Sequence, residues 1–75
     1  SVQSVIIDND SIPSDFSLRE KVRQQAINYI VQHGYKLKKI DETKNFYRFR
    51  QFSPKKYDNY YVKDLKNNVK LVIGY

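Results

Sequence analysis

Hydrophobic positions recur along this chain with two periods, that of strands at either end and that of a helix between them. Val2-Gln3-Ser4-Val5-Ile6-Ile7 is a short β-branched run, closed by the turn formers Asp8-Asn9-Asp10-Ser11 and by Pro13; it predicts a first strand. Further on the period lengthens. Leu18, Val22, Ala26, Tyr29, Ile30 and His33 recur at spacings of three and four, which makes one apolar stripe along a helix, with Arg19, Lys21, Arg23, Gln24 and Asn28 largely off it. Ser17-Leu18-Arg19-Glu20 reads as a capping box that starts this helix, the serine hydroxyl taking the third amide and the glutamate reaching back. Gly34 ends it, because glycine enters the left-handed conformation freely, and Ile30 and Tyr35 stand where a Schellman end makes its apolar contact.

After Gly34 the period shortens to that of strands. Tyr35 to Ile40 and Phe46 to Phe52, separated by Thr43-Lys44-Asn45, read as a β-hairpin. Ser53-Pro54-Lys55-Lys56 breaks the pattern, since proline donates nothing to a central ladder. A second pair follows, Tyr60 to Lys63 and Val69 to Ile73, joined through Lys66-Asn67-Asn68. The first and last strands are apolar almost throughout, which places both centrally in one sheet. The expected fold is α+β: one helix packed on a four- or five-stranded, mainly antiparallel sheet, in the order β-α-β-β-β-β, as a single domain spanning residues 1–75.

Composition narrows the function classes. Hydrophobic residues make up 40% of the 75 positions and aromatics 15%, too much for a disordered tail. Cysteine is absent, so disulfides and thiolate sites are both excluded. No apolar run approaches the roughly 18 residues of a membrane span, and Ser1-Val2-Gln3-Ser4 lacks the basic start of a signal peptide. The expectation is a soluble, non-secreted protein with no membrane partner. Charge is unevenly divided. Residues 1–34 carry three basic against four acidic side chains, a net of −1, whereas residues 35–75 carry eleven against four, a net of +7. That asymmetry is the footprint of a surface that meets a polyanion, although it also serves solubility.

Enzymatic chemistry lacks its parts. His33 is the one histidine, placed at a helix end where its ring suits the dipole and the terminal carbonyls. Neither a zinc site nor a nucleophilic triad can be assembled around it. Gly34 and Gly74 are the two glycines, too few for a phosphate-binding glycine loop. Asp8-Asn9-Asp10 lacks the glycine and the distant glutamate of a calcium loop, and Asn9-Asp10-Ser11 is a glycosylation acceptor only in a secreted protein. Asp41-Glu42 precedes a turn and reads as a solvated pair. No enzyme, metal or cofactor is expected.

The informative segment runs from Phe46 to Tyr57. In a strand Phe46, Arg48, Arg50 and Phe52 share one face while Tyr47, Phe49 and Gln51 share the other. With Tyr47 and Phe49 under the helix, the outer face presents two guanidinium groups between two aromatic rings and continues into Lys55, Lys56 and Tyr57. Sheet-based single-strand binders use this combination, rings for bases and cations for phosphates. The competing reading pairs Arg48 and Arg50 with Asp41, Glu42 or a neighbouring strand and leaves Phe46 and Phe52 covering an edge. Seven tyrosines, among them Tyr47, Tyr57, Tyr60 and Tyr61, also suit a protein interface, and a sheet this small leaves edge strands free to pair.

A wider pattern runs through Gln32-His33-Gly34-Tyr35, Lys39-Ile40-Asp41-Glu42-Thr43, Asn45-Phe46-Tyr47-Arg48-Phe49-Arg50-Gln51, Pro54 and Val69-Lys70-Leu71-Val72-Ile73-Gly74-Tyr75, together with the opening Val2-Gln3-Ser4-Val5-Ile6. It resembles a small domain of tailed-phage and large DNA virus proteins, some phage copies of which sit beside prohead-protease-like or other virion proteins. The likeness spans nearly the whole chain, and Tyr47-Arg48-Phe49-Arg50-Gln51 is its most specific part. The chain departs from it at Tyr29, where that domain usually has tryptophan, and in a helix longer at its front by about a turn. The resemblance implies a viral origin, in the host cytoplasm or nucleus or in the virion, and no catalysis of its own. The leading expectation is a non-enzymatic viral module that binds nucleic acid, single-stranded DNA or RNA in preference to duplex, through Arg48, Arg50, Lys55, Lys56, Phe46, Phe52 and Tyr57. The alternative is a virion or replication-complex interaction module that meets a viral structural protein, or itself, through its Tyr-rich surface and sheet edge.

Overall fold

The computed structural model describes residues 1–8 and 14–75; the Asn9-Asp10-Ser11 turn and Pro13 lie outside the described residues. Strand β1 (Val2–Asp8) is followed by helix α1 (Phe16–Gln32), strands β2 (Lys39–Glu42) and β3 (Phe46–Arg50), a short 3₁₀ turn (Pro54–Lys56), and strands β4 (Tyr60–Asp64) and β5 (Val69–Gly74). The five strands form one sheet in the order β2-β3-β1-β5-β4, and every neighbouring pair is antiparallel. One helix on a five-stranded antiparallel sheet is the α+β arrangement expected. The two most apolar strands, β1 and β5, lie side by side within it.

The helix covers one face. Val5, Ala26, Ile30, Tyr47, Phe49, Val69 and Leu71 form the buried core, with Val22, Ile27, Tyr29 and Ile40 packed at its margin. Register explains the set. Val5 lies opposite both Phe49 and Leu71, and Ile7 opposite both Tyr47 and Val69, so three adjacent strands turn matching apolar residues to the same side. Tyr47 and Phe49 pack under the helix, as alternation predicts.

The helix begins earlier than the capping box implies. Asp15 is the N-cap, its carboxylate accepting from the Leu18 amide at 3.0 Å. A carboxylate there satisfies an unpaired amide and also complements the positive end of the helix, which places Ser17 inside the first turn. Those two extra residues help carry the first turn beyond the core, leaving Phe16 and Leu18 exposed; Leu18 therefore drops out of the predicted stripe. The other end follows expectation. The Tyr35 amide donates to the Ile30 carbonyl at 3.0 Å and the Gly34 amide to Val31 at 3.1 Å, with Gly34 at φ +75°; both bonds belong to a Schellman end. His33 Nδ1 lies 2.9 Å from the Tyr29 carbonyl oxygen and its ring stacks on Tyr29.

A second correction concerns residues 35–40. The strand starts at Lys39 and not at Tyr35, because the Gln51 side chain occupies the Lys36 backbone. Its Oε1 accepts from the Lys36 amide at 2.8 Å, and its Nε2 donates to the Lys36 carbonyl at 3.0 Å. A side-chain amide replaces the ladder there. Among the described residues no helix is long and apolar enough to cross a membrane.

Candidate nucleic-acid interface

The connection from β3 to β4 must pass the ends of β1 and β5, because β3 and β4 stand on opposite sides of that central pair. Residues 51–59 therefore form a strap across one end of the sheet face that the helix leaves open. Phe52 belongs to this strap and not to β3. Tyr57 presses its ring on Gly74, leaving no room for a β-carbon at that glycine. Phe52, Tyr57 and Tyr60 make successive edge-to-face contacts with centroid separations of 6.4 and 6.0 Å, and the Tyr60 hydroxyl donates to the Pro54 carbonyl. The strap is thus an aromatic row anchored at both ends.

A buried polar network fixes its start. β1 carries a bulge, its register against β5 shifting between Val2 and Ser4, and Gln3 and Ser4 are both fully buried. Gln3 Nε2 donates to the Phe52 carbonyl at 2.7 Å, while the Gln3 carbonyl accepts from the Gln51 amide at 2.7 Å and the Phe52 amide at 3.3 Å. Gln3 Oε1 in turn accepts from Ser4 Oγ at 2.6 Å and from Arg48 Nη2 at 3.1 Å, and Arg48 Nε donates to Ser4 Oγ at 3.1 Å. The Arg48 guanidinium is engaged inside the protein, where it supports the residue that grips Phe52. Its bonds run to the neighbouring strand β1, as in the competing reading of the two arginines.

Arg50 also follows the competing reading, through β2. Its Nη2 lies 3.6 Å from an Asp41 carboxylate oxygen, so Asp41 is not simply solvated, while its buried Nε finds no partner among the described residues. Arg50 lines a cleft of about 340 Å³ together with Lys36, Lys38, Lys39, Gln51 and Phe52. Four cationic residues and one aromatic line this cleft, and among the described residues no carboxylate does. The Lys56 ammonium lies 3.9 Å from the Phe52 ring centroid and that of Lys36 4.9 Å away, close enough for cation–π attraction.

The structure therefore gathers Arg50, Phe52, Lys56 and Tyr57 at one end of the sheet. Lys55 is exposed on the 3₁₀ turn beside them. Phe46 is not among them: it begins β3, opposite Asp8, four residues and so about 13 Å from Arg50. Lys36, Lys38 and Lys39 enter the site although residues 35–40 are expected from sequence only as one strand of a hairpin, with no binding role. The signal was there in the run Lys36-Leu37-Lys38-Lys39, but its role depends on the Gln51 clamp, which no local pattern shows.

Two further charges shape the open face. Lys70 Nζ is 2.7 Å from Asp8 Oδ2; the hydrogen bond to Asp8, and then its charge, raise the lysine pKa. On the helix side burial raises the Tyr47 pKa, with the charge of Glu42 adding to it, while the hydroxyl itself has no hydrogen-bond partner among the described residues. A second hollow, of about 240 Å³, lies between α1 and the far end of β1 and β5, lined by Ile7, Val22, Ala26, Tyr29 and Asn68 among others. It continues the core and has no cationic side chain in its wall. No family model, curated protein or solved structure matches this chain.

Proposed function

We propose that this protein is a non-enzymatic module that binds single-stranded nucleic acid at the cleft between the start of β2, the end of β3 and the strap. The observation that carries this reading is that Lys36, Lys38, Lys39, Arg50 and Phe52 line one cleft whose wall, among the described residues, holds no carboxylate. Cations around one ring offer phosphates their counter-charge and a base a stacking platform. Strand separation is required because the base must reach the Phe52 ring unstacked. On binding, Lys36 and Lys56 exchange the ring for phosphate oxygens. Arg50 provides the fixed guanidinium, Lys55 and Tyr57 extend the site along the strap, and Arg48 serves as a positioning residue through Gln3. The viral setting, with its place in the host cytoplasm or nucleus or in the virion, is proposed with it on the sequence pattern.

Titration of fluorescent single-stranded and duplex oligonucleotides at about 50 and 200 mM salt tests this. The single strand binds more tightly, and Phe52→Ala weakens it by the worth of one stacked base, about 1–3 kcal/mol. The double variant Lys36→Ala/Lys39→Ala lowers the salt slope by about 0.7 for each phosphate contact removed. Equal, weak binding of both nucleic acids, or a slope unchanged in the double variant, overturns the assignment.

A further inference from the structure

The opposite margin of the sheet is built for a different partner. β4 is an edge strand with all five residues exposed, and Tyr60, Tyr61 and Val62 are among the large apolar side chains that the molecule leaves open. Its backbone is half used. Asn59 and Tyr75 exchange both hydrogen bonds at 3.0 Å, and the Leu65 amide donates to the Val69 carbonyl at 2.8 Å. In an antiparallel pair bonded and non-bonded positions alternate, so residues 59, 61, 63 and 65 face β5, while Tyr60, Val62 and Asp64 turn their amides and carbonyls to the free edge. Nothing among the described residues pairs with that edge.

We propose that β4 pairs antiparallel with β4 of a second copy of this chain, about a two-fold axis at Val62, and joins two five-stranded sheets into one. The sequence of the strand, Tyr60-Tyr61-Val62-Lys63-Asp64, is complementary to itself in that register. Val62 meets Val62 of the second copy, Tyr60 meets its Asp64, and Tyr61 meets its Lys63. All three outward-facing residues then lie in bonded pairs, and no like charges stand opposite one another. The Tyr61 ring receives an ammonium group, a favourable cross-strand pair. Other symmetric registers are poorer: shifting the axis to Lys63 sets two ammonium groups face to face, and shifting it to Tyr61 leaves Asp64 without a strand partner. A two-fold contact is isologous, so each favourable pair occurs twice. The contact is small, and its dimer is correspondingly weak and dependent on concentration. The other edge cannot do the same, since β2 has four residues, Lys39-Ile40-Asp41-Glu42, and is short and charged in the manner that blunts pairing.

Sedimentation equilibrium over a concentration series decides this. The wild-type chain rises from the mass of one chain toward that of two, whereas Val62→Lys and Val62→Glu, each setting like charges on the axis, remain at one. An equimolar mixture of the two variants regains the dimer, because the axis then joins opposite charges. Val62 is more than half exposed, so both variants keep the fold, which thermal melting verifies. A wild-type chain that stays monomeric at every concentration, a Val62→Lys variant that dimerises like wild type, or a mixture that fails to recover each overturns the pairing.

Discussion

The two margins of the sheet differ in what they leave unsatisfied. At the β2 margin the backbone is short and the side chains carry the interest: Lys36, Lys38, Lys39 and Arg50 line one cleft together with Phe52. At the β4 margin the cations recede, and exposed Tyr60, Tyr61 and Val62 lie along a half-used ladder. Among the described residues, one margin has four cations of which only Arg50 faces a carboxylate, that of Asp41, and the other has backbone without a partner. A polyanion would suit the first and a strand the second, which are the two binding chemistries proposed above. What joins them is the strap, whose aromatic row runs from Phe52 through Tyr57 to Tyr60.

The strongest way to break the contrast is to cut the strap at its root. Gln3→Ala removes the side-chain grip on Phe52 and strips a partner from the Arg48 guanidinium. Hydrogen bonds to a charged group are worth about 1.5–3 kcal/mol each, so a loss of about 2–3 kcal/mol in urea denaturation is expected. Oligonucleotide affinity falls as Phe52 loosens, while the Val62 axis keeps its self-association in the molecules that remain folded. Affinity unchanged in Gln3→Ala would show that Phe52 is held without it.

A smaller effect comes from the other end of the strap. Gly74→Ala drives a methyl group into the Tyr57 ring, and overpacking of this kind costs about 1–3 kcal/mol. Tyr57 must leave Gly74, which disturbs both Phe52 and Tyr60. This variant weakens the two margins together, and the same two titrations show it. If only one margin responds, the strap does not couple them.

The smallest effect sharpens the comparison by isolating the core from both margins. Tyr47→Phe removes a buried hydroxyl that has no partner among the described residues, so stability near neutral pH stays within about 1 kcal/mol of wild type or rises. At alkaline pH the two proteins separate. The Tyr47 pKa is raised in the folded state by burial and by Glu42, so the folded chain holds that proton more tightly than the unfolded one. The associated stability is complete below the unfolded tyrosine pKa near 10 and is lost as pH rises through the folded value. Lys70, raised by Asp8, contributes in the same sense. Thermal melts above about pH 10 therefore fall less steeply in Tyr47→Phe than in wild type, with binding at both margins unaltered. Identical alkaline slopes would show that Tyr47 does not titrate with unfolding.

Local pattern determined the elements of this protein: the helix end at Gly34, the alternation that buries Tyr47 and Phe49, the turn at Asn67 and Asn68, both at φ +64°, and the central place of β1 and β5. All but the last follow from forces acting within a few residues, namely capping bonds, side-chain period and the steric limits of the backbone; the last was legible because a strand apolar on both faces must be covered on both. Sequence also showed that the excess charge lies in the second half. It could not show which charges remain free, because that depends on residues brought together from afar. Arg48 and Arg50 stand alike in the strand, yet one is bound by Gln3 and Ser4 from β1 and the other opens on a cleft that Gln51 and Lys36 complete. Phe46 and Phe52 share a parity, yet only Phe52 joins the cationic cluster, because the chain leaves β3 at Arg50 to cross the sheet. Strand order decided that crossing. It made residues 51–59 a strap, left β4 at an open edge, and gave each margin its own chemistry, since the contacts responsible span more than forty residues and no local period records them.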